Sequence, residues 1–158
     1  MSAIVISQTT GMSDDLSSVM DLYSRKIVGF QMGEHMTKEL VMQALDRAFN
    51  QQRPSGEVLH HSDRGSQYAS HDYQARLKKY KMKSNMSRKG NCYDNACIDS
   101  FHSVIKKELI YLEKFKTREQ VRKRIFEYIT CFYNAKRIHS TIGYIIPNQC
   151  EHMYRKPA

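Results

Sequence analysis

Glu57-Val58-Leu59-His60-His61-Ser62-Asp63, running into Arg64-Gly65-Ser66, sets the architecture expected of this chain. It reads as a short strand that ends in a polar turn and leaves a carboxylate at the strand's last position. A second stretch answers it, with 35 residues lying between Asp63 and Asp99. Asn91-Cys92-Tyr93-Asp94-Asn95-Ala96-Cys97-Ile98-Asp99-Ser100-Phe101-His102-Ser103-Val104-Ile105-Lys106-Lys107 reads as a helix. At about 100° per residue, Asn95, Asp99, His102, Ser103 and Lys106 share one stripe, while Cys97, Phe101, Val104 and Ile105 fall on or near the other side. The polar stripe is expected to face an opening or solvent. Two hard oxygen ligands, one at a strand end and one on a helix, are what a magnesium site for phosphoryl transfer needs.

Outward from these stretches, Ser18–Tyr23 and Lys26–Met32 read as two strands joined by the polar turn Ser24-Arg25. Thr37 suits the N-cap of a helix whose apolar face is Leu40, Val41, Ala44, Leu45, Ala48 and Phe49. Pro54-Ser55-Gly56 ends it before the Asp63 strand. Ser70 caps a short helix to about Lys79, and Lys81–Met86 reads as another strand. Thr117 opens the last long helix, with Gln120 completing a capping box and Val121, Ile125, Tyr128, Ile129, Phe132 and Tyr133 inward. The order implies an α/β layered domain built on a mixed sheet, one domain over residues 1–158.

Composition narrows the function classes. No run of 18 apolar residues is present, and the first twenty residues lack the order of a secretory signal, so a cytoplasmic location is expected. The four cysteines, 92, 97, 131 and 150, read as reduced thiols, since a chain of 158 residues needs no disulfide staples. Cys92 and Cys97 do not have the spacing of a usual zinc knuckle. Of the neighbouring His60 and His61, strand alternation sends one into the core, so at most one faces Asp63. Charge is uneven: residues 1–75 hold 6 Lys/Arg against 9 Asp/Glu, whereas residues 76–158 hold 19 against 7. The run from Arg76 to Lys89 contains seven cations and no carboxylate, with Tyr80 and Tyr93 in or beside it. A polyanion partner, nucleic acid, is expected for this half.

His61–Tyr68 and Ser84–Ala96 closely resemble the catalytic core of bacterial insertion-sequence transposases of the retroviral-integrase type. Asp21-Leu22-Tyr23-Ser24-Arg25-Lys26-Ile27-Val28-Gly29 resembles the second strand of that family, and Tyr133–Tyr144, followed by Pro147, its closing segment. The resemblance implies a ribonuclease-H-like mixed sheet of about five strands with helices on both faces. It also implies a polynucleotidyl transferase that cleaves and joins DNA strands with Mg²⁺ or Mn²⁺ held by an Asp, Asp, Glu triad. Carried over residue by residue, the second Asp is Asp63, the Glu position is Asp99, and the basic residue seven positions after it is Lys106. The expected catalytic and metal residues are therefore Asp63 and Asp99, and the expected DNA contacts are Lys83, Arg88, Lys89 and Lys106. Transposon ends and target DNA are the implied partners, with a homo-oligomer, since this fold commonly pairs in the family, and no membrane.

Two departures are visible. Asp99 is one methylene shorter than the family's Glu, about 1.5 Å of reach. The family's first Asp has no counterpart, because residues 1–10 hold no carboxylate. Counting places Ala3 or a neighbour at its position, with Asp14, Asp15 and Asp21 the nearest acids. The chain thus reads as a truncated, partly degenerate core, and a catalytically inactive DNA-binding or dimerising remnant is the alternative.

Overall fold

A five-stranded mixed sheet in the order β3-β2-β1-β4-β5 organises the protein in the computed structural model, which describes residues 2–63, 65–86 and 93–155. β1 (Ser2–Met12), β2 (Asp14–Asp21) and β3 (Ile27–Gly33) form an antiparallel meander. β4 (Val58–Ser62) returns parallel to β1 after helix α1 (Lys38–Gln52). β5 (Met82–Met86) lies parallel to β4 after α2 (Ser66–Ala69) and α3 (His71–Lys79). α4 (Tyr93–Ile105), α5 (Arg118–Glu127) and α6 (Pro147–Arg155) complete the helices named here. The expected ribonuclease-H-like sheet with helices on both faces is what the chain forms.

Period-two alternation divides the strands between two cores. Val5, Leu16 and Met20 point to one face and pack with Ile98, Phe101 and Ile105 of α4 and with Val121 and Ile125 of α5. Ile4, Ile6, Val19 and Val28 point to the other, against Val41, Ala44, Leu45 and Ala48 of α1 and Tyr68, Tyr73 and Leu77 beyond it. The caps form as their residue types dictate: the Thr37, Ser70 and Thr117 hydroxyls accept from Leu40, Tyr73 and Gln120 backbone N–H groups. Gln120 Oε1 reaches back one residue further than a standard box, to the Lys116 N–H at 2.8 Å.

Several expectations need correction. β2 begins at Asp14, earlier than its apolar run suggests, because the left-handed Gly11 (φ 87°) and Ser13 (φ 71°) place the hairpin turn there. The last helix passes from α5 into a π-helical segment, Tyr128–Tyr133. That change of phase leaves Phe132 40% exposed while Tyr128, Ile129 and Tyr133 stay inside. α6 carries no strong sequence signal. Asn134, buried in the closing segment, accepts from the Ile27 N–H and donates to its C=O, both at 3.0 Å, and so ties that segment to the start of β3.

Two histidines sit deep in opposite cores. Burial pulls the pKa of His60 down to about 4 and that of His102 to about 3, with the Lys106 charge a further cause at His102. Both are therefore neutral in the fold, and each gains a proton on unfolding once pH falls below the ordinary value of about 6.5. Stability should drop as pH falls through this window, by up to about 1.4 kcal/mol per pH unit for each histidine. Urea midpoints measured from pH 7 to 5 should decline accordingly. A flat profile would mean that the two rings are protonated as readily folded as unfolded.

Candidate active site

β4 delivers Asp63 one residue past its last strand position, on the face that α4 covers. Leu59 and His61 pair in register with Ala3 and Val5, so the odd-numbered residues of both strands share that face. His60 instead turns into the opposite core, where its Nε2 meets Tyr73 Oη at 2.6 Å. This is the division the alternation required. The Asp63 carboxylate is held by its own turn: Oδ1 accepts from the Gly65 N–H at 2.7 Å. A Cβ at Gly65 would stand 3.0 Å from that oxygen, so glycine keeps the turn closed on the carboxylate. Tyr68, fully buried behind the turn, donates from its hydroxyl to Gln8 Oε1 on β1. Its pKa is raised by burial and then by the Asp63 charge.

α4 crosses this end of the sheet, packing on β1, β2 and β4. Ile98, Phe101, His102 and Ile105 are buried and Asp99 is exposed beside them. Partial desolvation raises the pKa of Asp99, and the negative charge of Asp63 raises it further. The two carboxylates read from sequence are thus brought within each other's field. Lys106, at the start of a π-helical turn (Lys106–Ile110), is half-buried, and its charge reaches His102 from the same helix. Lys83 is exposed on β5. Arg88 and Lys89 lie outside the described residues.

The structure corrects three readings of this region. His102 does not line an open polar stripe: it is 4% exposed, and its Nε2 contacts Ser18 Oγ at 3.0 Å. Arg76 and Tyr80 are not available to a polyanion, because Arg76 is ion-paired to Asp46, Tyr80 donates to the same carboxylate, and the Tyr80 ring stacks on Phe49. Ala3 does not stand beside Asp63. It pairs with Leu59, four residues away, or about 13 Å along the strand. Continuing the register two residues past Val5 and His61 brings Ser7 level with Asp63. Ser7 is buried on the α4 face and pairs across to Ser18, the partner of His102.

Among the described residues, neither Asp14 nor Asp21 takes the place of the missing acid. Asp14 is buried at the far end of β2 against Arg118 and Arg122. Asp21 is turned to the Ser24 N–H and hydroxyl at the other end. Among the described residues no group of three His, Cys, Asp or Glu is placed to hold a metal ion. Cys97 accepts from Arg25 Nη1 at 2.7 Å, and Cys92 lies outside the described residues.

Comparison with known proteins agrees with this fold. Residues 11–92 match the Integrase core domain family, and residues 99–154 match a second family of the same description. The chain belongs to the integrase core family. An uncharacterized 31 kDa protein of insertion element IS600 from Shigella sonnei is 44% identical over 143 residues, 90% of this chain and 53% of that protein. The transposase InsF for insertion sequence IS3A of Escherichia coli (strain K12) is 45% identical over 136 residues, 86% of this chain and 47% of InsF. This integrase core spans about half the length of the curated relatives it matches. Among solved structures, the catalytic core domain of BIV integrase superposes with a TM-score of 0.72 at 18% identity, covering 98% of both chains. A chain of the simian T-cell lymphotropic virus intasome, solved with PP2A regulatory subunit B56 gamma, gives 0.79 at 13% identity, covering 99% of this chain and 56% of that one. The first family match begins at residue 11, so Ser7 falls outside it.

Proposed function

We propose that this chain is the DNA-acting core of an insertion-sequence transposase, with Asp63 and Asp99 as its catalytic and metal-binding carboxylates. The reading is supported by the placement of two residues picked out by separate motifs, Asp63 just past the end of β4 and Asp99 on α4, which packs on β4; the Asp63 charge adds to burial in raising the pKa of Asp99. Two carboxylates that repel each other suit a hard divalent cation, Mg²⁺ or Mn²⁺, with water completing its shell. Such an ion supplies positive charge against a phosphodiester oxygen. The donor set suits one ion; a pair of ions needs a further acid where Ser7 stands. Strand cleavage and transfer by this chain is therefore expected to be absent or very slow.

DNA is the substrate this reading requires. The net charge of +9, concentrated in the second half, supports it, as do Lys83, Arg88, Lys89 and Lys106 as phosphate contacts. A second copy of the chain is the expected partner when the DNA ends are brought together. Binding should be weakly sequence-dependent and should fall steeply with salt. Each phosphate that is no longer neutralised lowers the slope of log K against log salt by about 0.9. Replacing Lys83, Arg88 and Lys89 with Ala should flatten the slope by roughly two to three. Absence of binding by the unmodified chain at low salt would remove the DNA reading altogether.

A further inference from the structure

Two of the motifs singled out in the sequence take no part in the Asp63–Asp99 site: the turn after β2, containing Arg25, and the closing segment from Tyr133 to Tyr144. They converge on one cavity. Arg25 comes from the turn, Ser100 from α4, and Arg137, His139, Ser140 and Thr141 from the closing segment, around a volume of about 390 Å³. Ser100 follows Asp99 directly, so the cavity lies on the flank of the helix that carries the candidate active site, about 100° around its axis.

Half of the lining is apolar, Met20, Ala96, Val104 and Ile138 among it, and the polar half carries two guanidinium groups, an imidazole and the hydroxyls of Ser100, Ser140 and Thr141. Arg137 is answered by Glu108, which accepts from its Nη2 at 2.9 Å. Arg25 has no carboxylate partner among the described residues. One of its guanidinium N–H groups donates to Cys97 Sγ at 2.7 Å, which braces it against α4. A guanidinium has five donors, so most remain for a ligand. The positive field is visible on its neighbours. The His139 pKa is lowered by burial and then by the charges of Arg137 and Arg25, and the same two charges act downward on Tyr133 against the larger effect of burial. His139 Nε2 is enclosed with no hydrogen-bond partner among the described residues, and the ring is set edge-on to Tyr133 at 4.9 Å. A planar cation, an imidazole and hydroxyl groups around one opening are the donor set of a phosphate site.

We propose that this cavity holds a backbone phosphate of the DNA strand, with Arg25 as its principal donor. The inference rests on the DNA reading above and assigns that DNA a path along the flank of α4. A strand seated at Asp63 and Asp99 is then gripped on the flank of the helix by residues from both ends of the chain. Arg25 acts in positioning, not in chemistry.

The test uses the whole chain with Arg25→Gln and Arg25→Lys. Oligonucleotide binding is followed by fluorescence anisotropy over a series of salt concentrations. Arg25→Gln should weaken binding about fivefold to tenfold at low salt and reduce the salt slope by about one. Arg25→Lys should keep the slope but recover only part of the affinity, since a point charge replaces a fork of donors. In parallel, inorganic phosphate is titrated while the His139 ring signals are followed by NMR, in the unmodified chain and in Arg25→Lys. Those signals should move in both, with weaker affinity in the lysine variant. If the unmodified chain binds no DNA, the failure belongs to the DNA reading. If it binds DNA and folded Arg25→Gln matches it in affinity and slope, the cavity proposal alone is overturned. Phosphate shifts at His139 accompanied by unchanged DNA binding would assign the cavity to free phosphate, and that also overturns it. Should Arg25→Gln fail to fold, unchanged affinity in Arg25→Lys together with unmoved His139 signals would do the same.

Discussion

Gly29→Ala is expected to unfold this protein or leave it barely folded. Gly29 is on β3, where α1 crosses the sheet, and a Cβ there would stand 2.6 Å from both Ala44 O and Ala48 N and 2.8 Å from Ala48 Cβ. Two of these three atoms belong to the α1 backbone, which no rotamer change can move aside. Relief requires α1 to lift from the sheet, and that separates Val41, Ala44, Leu45 and Ala48 from Ile4, Ile6, Val19 and Val28. Overpacking in a close-packed core costs roughly 1–3 kcal/mol when side chains can adjust, and a backbone clash exceeds that. A loss of more than about 3 kcal/mol is a large share of the ~5–15 kcal/mol that holds an ordinary domain together. Thermal denaturation followed by circular dichroism checks it. A melting temperature within a few degrees of the unmodified chain would show that α1 lies further from β3 than described.

The second large effect concerns the acid that is missing. Ser7→Asp combined with Asp99→Glu should raise divalent-metal affinity about tenfold or more and bring nicking of supercoiled DNA into the measurable range. Extending the Val5–His61 pairing by two residues sets Ser7 level with Asp63, so a carboxylate there is expected to complete an acidic set with Asp63 and the lengthened residue 99. The same acid is buried beside Ser18 and His102, so without metal it should lower stability. Added Mn²⁺ should reverse that loss, by about 2.7 kcal/mol at a hundred times the dissociation constant. Ala3→Asp with Asp99→Glu is the control, and it should gain nothing, because residue 3 lies beside Leu59. A gain from the Ala3 variant and none from the Ser7 variant would mean that the strand register is misread.

That contrast shows what a sequence can disclose about such a site. The positions of Asp63 at the end of β4 and of Asp99 on α4 are legible because each lies within a run whose residue types fix its local structure: an apolar strand closing on Asp-Arg-Gly, and a helix with clear periodicity. Ser7 was not legible. Which β1 residue stands level with Asp63 is set by the hairpin at Gly11–Ser13 and by the irregularity between Thr9 and Met12, and counting back from Asp21 cannot resolve either. His102 was misplaced for a related reason. On the helical wheel it lies between the Asp99 stripe and the buried Ile98–Ile105 side, and Ser18 Oγ, 84 residues away in sequence, decides which way it belongs. The cationic run from Arg76 is less free than its composition suggests, since Asp46, 30 residues earlier, takes up Arg76. Phe132 followed a regular helical count that the π-helical segment interrupts.

If Asp63 and Asp99 share one divalent ion, its binding must depend on both carboxylates. Mn²⁺ binding to the unmodified chain, to Asp63→Asn and to Asp99→Asn can be measured by electron paramagnetic resonance of the free ion. One weakly bound Mn²⁺ in the unmodified chain, lost on either substitution, is the expected result. Binding that survives both substitutions, or that depends on one carboxylate and ignores the other, would show that the two acids do not form one site.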